Sequence, residues 1–177
     1  MNITQPGSHL DHMLHQTRWH HTQLSTMADT KANMMLTVSS VVITLSVRYL
    51  AEPPLKWAAL SLIAFCLLTI LMAAYAAMPK LAFSLKPVPP ARASSPGFNL
   101  LFFGDFAHLR YEEFEAAMEG VMNDPSRTYE IQVREVYILG VFLARKKYRF
   151  VRLAYITFIA GLVVSGVVLM LTGGALS

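Results

Sequence analysis

The chain has 177 residues, of which 54% are hydrophobic and 15% are charged, and its formal net charge is +4. Its mean hydropathy of +0.43 is too high for an ordinary soluble domain of this size, so the lipid bilayer is the expected solvent. The single cysteine, Cys66, lies in an apolar run, which excludes an intramolecular disulfide framework. The first 30 residues contain no apolar core of signal-peptide type, so we expect the first membrane helix to be retained.

The N-terminal segment, residues 1–31, predicts a helix that continues into the membrane. From His9 to Ala32 it contains no proline or glycine, and its apolar residues are spaced among polar ones. Five histidines occur here: His9, His12, His15, His20 and His21. On a helix the first three spread over a broad arc, with no cysteine or paired carboxylate beside them, so we interpret them as interfacial side chains rather than metal ligands.

Three uncharged runs predict an all-α integral membrane protein with spans at about 32–50, 57–78 and 153–176. The second and third runs are 22 and 24 residues long, which is enough to cross a hydrocarbon core. The first run has only 16 residues between Lys31 and Arg48, so we expect Arg48 to extend its side chain toward the interface. Gly161 and Ser165 in the third span are four residues apart, a spacing that fits either self-association or ordinary glycine usage.

The distribution of basic residues predicts the orientation. The connector with Glu52-Pro53-Pro54 makes residues 32–78 a helical hairpin, and 11 of the 15 Lys and Arg residues lie between Lys80 and Arg152. The positive-inside rule then places the N-terminus and residues 79–152 in the cytoplasm, and the hairpin tip and the C-terminus outside. Residues 153–177 comprise the third span and the periplasmic C-terminus. The cluster around Arg145 to Arg152 suits an anionic inner leaflet.

The region 79–152 divides into three predicted parts. Five prolines between Pro79 and Gly97 indicate a semi-extended strap. An amphipathic helix is expected from Leu109 to about Asn123. Asp124 is then a natural N-cap before Pro125, so one helix is expected to continue from Pro125 through the third span, with Gly140 as its only soft point.

The sequence lacks the motifs of the common enzyme classes. It has no glycine-rich phosphate loop, HExxH, nucleophile elbow or CxxC. A membrane-embedded hydrolase would depend on His20, His21 and Asp29 without a nucleophile or a complete metal set, so we expect no catalytic site. The span cores contain no Asp, Glu, Lys, Arg or His, which disfavours a transporter.

Three motifs in order carry a family resemblance: Ala28-Asp29-x-Lys31-Ala32, Phe102-Phe103-Gly104-Asp105 and Lys147-Tyr148. Their order and spacing resemble the transmembrane effector family of the Pycsar antiphage systems. The resemblance implies a multi-pass protein of the bacterial inner membrane that senses cyclic CMP or cyclic UMP made by a partner cyclase. It also implies that the activated effector impairs the membrane and aborts infection. We expect the effector to be a homo-oligomer and to bind no nucleic acid.

Physical inference at the motif positions gives a candidate ligand site. We expect the base to stack on Phe102, Phe103 or Tyr111. The cyclic phosphate would contact one of four basic residues: Lys31, Arg110, Arg134 or Lys147. Asp29 and Asp105 would accept hydrogen bonds from the ribose or base, and Gly104 would let the backbone approach the ligand.

An alternative function is a structural membrane adaptor. In that interpretation the apolar, aromatic stretch from Phe98 to Phe106 is a docking surface for a protein partner, and no small molecule is bound.

Overall fold

The computed structural model describes residues 3, 7–78 and 98–173, and every secondary-structure element in these ranges is helical. The predicted proline-rich strap at 79–97 lies outside the described residues. The elements are α1 Ser8–Ser46, a 3₁₀ turn Val47–Ala51, α2 Lys56–Ala77, α3 Phe103–Phe106, α4 Tyr111–Met122, α5 Pro125–Phe142, a π-helical turn Leu143–Lys147, and α6 Tyr148–Gly173. Three helical segments are long and apolar enough to cross a membrane, which confirms the all-α membrane fold.

The helices contribute to two compact units. Of the described residues, those up to 23 and those from 98 to 142 belong to one unit, here called the polar unit, and residues 24–78 and 143–173 belong to the other, here called the membrane unit. We describe each by itself.

In the membrane unit, α1, α2 and α6 pack through small side chains. The buried core is mostly alanine, with one methionine and one valine: Ala28, Ala32, Met35, Ala73, Ala76, Val151 and Ala154. Small residues let the helix backbones approach closely, which is the usual basis of helix association in lipid. The phenyl ring of Phe150 packs on Tyr75 at the edge of this core, with ring centroids 4.4 Å apart.

The predicted continuation of the N-terminal helix into the first span is confirmed. Because no proline or glycine interrupts it, α1 runs without a break from Ser8 to Ser46. It ends in a 3₁₀ turn, followed by the two prolines Pro53 and Pro54, which cannot continue a helix. Within that turn the Arg48 guanidinium lies 4.5 Å from the centroid of the Tyr49 ring.

The helix that begins at Pro125 also forms as predicted, with one correction. Asp124 Oδ1 accepts hydrogen bonds from the backbone N–H groups of Ser126 and Arg127, at 3.0 and 3.3 Å, so the N-cap is confirmed. Gly140 remains in regular helix, and the irregular turn comes three residues later, at Leu143–Lys147. A Cβ at Gly140 would lie 3.2 Å from the His21 imidazole, so this glycine allows close packing in the polar unit.

Within the polar unit, two polar contacts align the start of α1 with α5. The Tyr129 hydroxyl donates to Asp11 at 2.8 Å, and Arg18 pairs with Glu135 at 2.9 Å. Both pairs advance along the two helices in the same direction, so these segments run parallel. Burial raises the pKa of Glu135, and the positive charge of Arg18 opposes that rise.

The small-residue face of α6 contacts α2 of the same chain. A Cβ built on Gly161 would lie 2.4 Å from the Cβ of Phe65, and the Ser165 hydroxyl donates to the carbonyl of Ala58 at 3.0 Å. In the structure, this small-residue spacing serves packing between two helices of the same chain. Any self-association therefore needs another surface.

This contact generates a prediction with a matched control. Gly161→Ala should force α2 and α6 apart and lower the free energy of unfolding by about 1–3 kcal/mol, the usual cost of overpacking. Gly166→Ala, on the same helix with open space around its Cβ, should be neutral or slightly stabilising. Thermal unfolding of both variants in detergent measures the difference, and equal melting temperatures would contradict the observed packing.

Candidate functional site

A buried lysine connects α6 to α1 at one end of the membrane unit. The Lys147 side chain is only 9% exposed, and its ammonium lies 2.6 Å from Asp29 Oδ2 and 2.7 Å from the Ser25 hydroxyl. It also donates to the Ser25 carbonyl at 3.3 Å. These three acceptors match the three N–H groups of an ammonium, so the buried charge is both neutralised and fully hydrogen-bonded.

Local sequence explains how these groups meet. Ser25 and Asp29 are four residues apart on α1 and therefore lie on the same face. Ala28 and Ala32, which flank Asp29 in the first motif, are fully buried and allow α6 to approach. Lys147 is the last residue of the π-helical turn that leads into α6. The extra residue of this turn rotates the preceding side chains by about 100° relative to those that follow.

Tyr148 adds a second bond from the same motif. Its hydroxyl donates to the carbonyl of Leu24 at 3.1 Å, so both residues of Lys147-Tyr148 bind one turn of α1. Ser25 and Leu24 were not predicted as partners of this motif. The one sequence signal for Ser25 is its position one helical turn before Asp29. Leu24 binds through its backbone carbonyl, so its side chain gives no sequence signal.

This geometry limits what Lys147 can bind. Because its donors are occupied, an anion can reach the ammonium only when Asp29 or Ser25 moves away. The other carboxylate oxygen, Asp29 Oδ1, is shielded from solvent and has no hydrogen-bond partner within the described residues. The cluster therefore combines a saturated cation with one unused buried acceptor, an arrangement that a competing ligand or a helix movement can alter.

Lys31 does not join this cluster. It is two residues from Asp29, about 200° around the helix, and its side chain is exposed. The first motif thus directs its acid toward α6 and its base away from it.

The other predicted aromatic and acidic residues all belong to the polar unit. Phe102 and Phe103 are 40% and 56% exposed, with ring centroids 5.0 Å apart, and Tyr111 at the start of α4 is 70% exposed. Phe106, one helical turn after Phe102, packs instead on Phe114, at 5.0 Å between centroids. The first three side chains offer accessible aromatic faces on which a base can stack.

Gly104 and Asp105 have structural roles in this segment. A Cβ at Gly104 would lie 2.4 Å from Cε1 of Phe102, so the glycine makes room for a ring of its own chain. Asp105 Oδ2 accepts the backbone N–H of Asn99 at 2.9 Å, which leaves its second oxygen for another donor. The Phe102-Phe103-Gly104-Asp105 motif is therefore explained in part by the fold of the loop before α4.

The remaining basic candidates are engaged in ion pairs in the polar unit. Arg110 pairs with Glu113 at 3.1 Å at the start of α4, and the Glu113 carboxylate also accepts the backbone N–H of Arg110 at 3.3 Å. Arg134 pairs with Glu130 at 3.1 Å, one turn earlier on α5. Exposed pairs of this kind contribute little to stability, so a phosphate can compete for either arginine. Of the ten predicted residues, the structure joins Asp29 and Lys147 directly.

Metal binding has no support in the described ranges, which contain no group of three or more His, Cys, Asp or Glu side chains arranged to hold an ion. His9, His12, His15 and His20 are exposed along α1, and His21 is partly buried against Gly140.

Fold and site together define an α-helical membrane protein with three spans, whose first and third spans are joined through a buried ammonium. A family model described as Pycsar effector protein domain matches residues 12–172 of the chain. The chain therefore belongs to the Pycsar effector family and is an effector of an antiphage Pycsar system. No curated protein and no solved structure matches it.

The buried ion pair generates a double-mutant test. Lys147→Met should lower the free energy of unfolding by about 1–3 kcal/mol, because it leaves the Asp29 carboxylate and the Ser25 hydroxyl without their donor. We expect a modest loss because the Asp29 side chain is still 39% exposed. Asp29→Asn combined with Lys147→Met should cost less than the sum of the single changes.

Lys146→Met is the matched control, since Lys146 is the exposed neighbour in the same turn and its loss should change stability by less than about 0.5 kcal/mol. Chemical unfolding of the detergent-purified variants provides the measurement. Strictly additive effects of Asp29→Asn and Lys147→Met would show that the two side chains do not interact.

Proposed function

We propose that this effector senses a cyclic pyrimidine mononucleotide, cyclic CMP or cyclic UMP, on its cytoplasmic side and responds by impairing the inner membrane. The observation that carries the proposal is the Asp29, Ser25 and Lys147 cluster, because two of the family's motifs meet there through a pair that an anion can disrupt. Membership of the Pycsar effector family supplies the link to a cyclic nucleotide signal.

Recognition of the nucleotide requires a surface for the base and a cation for the phosphate. The exposed rings of Phe102, Phe103 and Tyr111 in the polar unit suit a base, which can stack on any aromatic face. Arg110 lies beside Tyr111 in sequence and is held only by an exposed ion pair, so it is available to a phosphodiester. Lys31, Arg134 and Lys147 remain candidates for the same role.

The response is best described as a shift between two arrangements of the spans. In the arrangement seen here, Lys147 and Tyr148 hold α6 against α1. In the second arrangement, Lys147 is released from Asp29. A ligand that binds this arrangement more tightly than the one seen here shifts the population toward it, and a difference in binding free energy of a few kcal/mol is sufficient. In that arrangement, copies of the chain assemble and make the bilayer permeable.

The proposal includes a location and an orientation in the inner membrane. The N-terminus and residues 79–152 face the cytoplasm, where a partner cyclase releases the nucleotide, and the C-terminus faces the periplasm. The excess of Lys and Arg between residues 80 and 152 supports this orientation. Labelling of a cysteine at Glu52 by an impermeant maleimide in intact cells, without labelling of one at Ser126, tests it.

Nucleotide binding is tested directly by calorimetric titration of the detergent-purified protein with cyclic CMP, cyclic UMP, cyclic AMP and cyclic GMP. We expect saturable binding of one pyrimidine nucleotide and much weaker binding of the purines. Phe103→Ala should weaken that binding about 10-fold or more, because stacking on an aromatic ring contributes about 1–3 kcal/mol.

Tyr137→Ala is the matched control, since Tyr137 is an exposed aromatic of the polar unit that lies outside the proposed site. It should leave affinity unchanged. If folded protein binds none of the four nucleotides, the structural adaptor becomes the better account, because the exposed rings of Phe102, Phe103 and Tyr111 would then serve a protein partner.

A further inference from the structure

The membrane part of α1 has three distinct faces. One is buried against α2 and α6 and includes Ala28, Ala32, Met35 and Ser39. A second is exposed and wholly apolar, and consists of Met34, Val38, Val41 and Leu45. The third is exposed and polar, and we call it the hydroxyl stripe: Thr30, Asn33, Thr37, Ser40 and Thr44.

The hydroxyl stripe has a regular geometry. Its members are separated alternately by three and four residues, which places them within an arc of about 80° on one side of the helix. From Thr30 to Thr44 the stripe extends about 21 Å, roughly two thirds of a hydrocarbon core. The same 3-4 spacing forms the seam between helices that pack side by side along their whole length.

The other two spans place their polar side chains differently. Within the described residues, no Ser, Thr or Asn of α2 or α6 is exposed. Thr69 of α2 is fully buried, and Ser165 of α6 donates to the carbonyl of Ala58. Two helices thus follow the rule that polar groups in lipid face protein, and α1 departs from it along one face only.

Internal hydrogen bonds use the hydroxyl hydrogens of the stripe but leave its acceptor capacity open. The hydroxyls of Thr30, Thr37, Ser40 and Thr44 donate to carbonyls one turn earlier, at 3.0, 3.0, 2.8 and 2.9 Å. Their oxygens keep lone pairs for further donors, and within the described residues the Asn33 carboxamide makes no hydrogen bond. Acyl chains offer no donor or acceptor, so this face is suited to water or to another polar helix surface.

We propose that the hydroxyl stripe faces equivalent stripes on other copies of this chain, and that the assembled stripes line a water-filled path through the membrane. A second copy is the fitting occupant because hydroxyl and carboxamide groups both donate and accept, so the stripe is complementary to itself. Water fills the space between stripes in larger assemblies, since one three-helix unit cannot enclose a path. This inference rests on the proposed membrane impairment and names the surface that produces it.

The test compares neighbouring positions on the two exposed faces of α1. In a Cys66→Ala background, single cysteines replace Thr37, Ser40 or Thr44 in the stripe, and Val38, Val41 or Leu45 on the apolar face as controls. Both sets of positions are exposed in a single chain, so a difference in cross-linking between them requires that copies of the chain contact each other through one face. Purified protein in liposomes is oxidised with copper phenanthroline, and covalent dimers are measured on denaturing gels.

In the presence of cyclic CMP or cyclic UMP, stripe cysteines should form dimers at least about 10-fold faster than the controls. A negatively charged methanethiosulfonate reagent added from outside should modify the stripe cysteines and leave the control cysteines unmodified when cyclic CMP or cyclic UMP is present. Equal cross-linking of the two faces, or none at the stripe, would overturn the assembly. Cross-linking at the stripe without reagent access would overturn the water-filled path.

The same experiment separates this inference from the proposed nucleotide control. Stripe cysteines that cross-link and react with the reagent equally well without any nucleotide would support the path and contradict regulation by cyclic CMP or cyclic UMP. Melting temperatures of all variants show that each is folded, so a negative result reports on assembly.

Discussion

A buried ammonium needs acceptors, and Lys147 finds all of its acceptors on α1. This requirement determines how the first and third spans meet, because Asp29 and Ser25 must face the end of the π-helical turn. With that point fixed, Ala28 and Ala32 lie against Val151 and Ala154, and small side chains permit the close approach. Tyr148 extends the attachment by one more bond, to the backbone of Leu24.

Much of the fold follows from local sequence rules. The absence of Pro and Gly gives the long α1, the Asp124-Pro125 pair starts α5, and uncharged runs give three spans. The π-helical turn was not predicted, because it depends on where Lys147 finds its acceptors rather than on any local propensity. Gly140 was predicted to be the soft point of the helix because its contact with His21, which is distant in sequence, could not be read from local sequence.

Prediction of the candidate site was less complete. The motifs identified Asp29 and Lys147, but their pairing joins residues 118 positions apart, and no local pattern encodes such a contact. Gly104 and Asp105 were predicted to contact a ligand, and the structure shows that each also has a contact within the loop. A single sequence does not distinguish a residue kept for local geometry from one kept for binding.

The ion pair and the hydroxyl stripe are two features of one helix. The pair holds α1 to α6 inside the chain, and the stripe is exposed on a separate face of α1. An effector that must remain harmless until signalled needs both an arrangement that is stable alone and a surface that acts between copies. In our account the Asp29 and Lys147 pair provides the first, and the stripe provides the second.

Release of dye from liposomes that contain Asp29→Asn protein shows whether the Asp29 and Lys147 pair keeps the effector inactive. This change weakens the pair while keeping both the shape of the side chain and the Lys147 cation. We predict leakage without nucleotide, or at a concentration at least about 10-fold lower than wild type requires. Folded Asp29→Asn protein that needs the same nucleotide concentration as wild type would contradict the account.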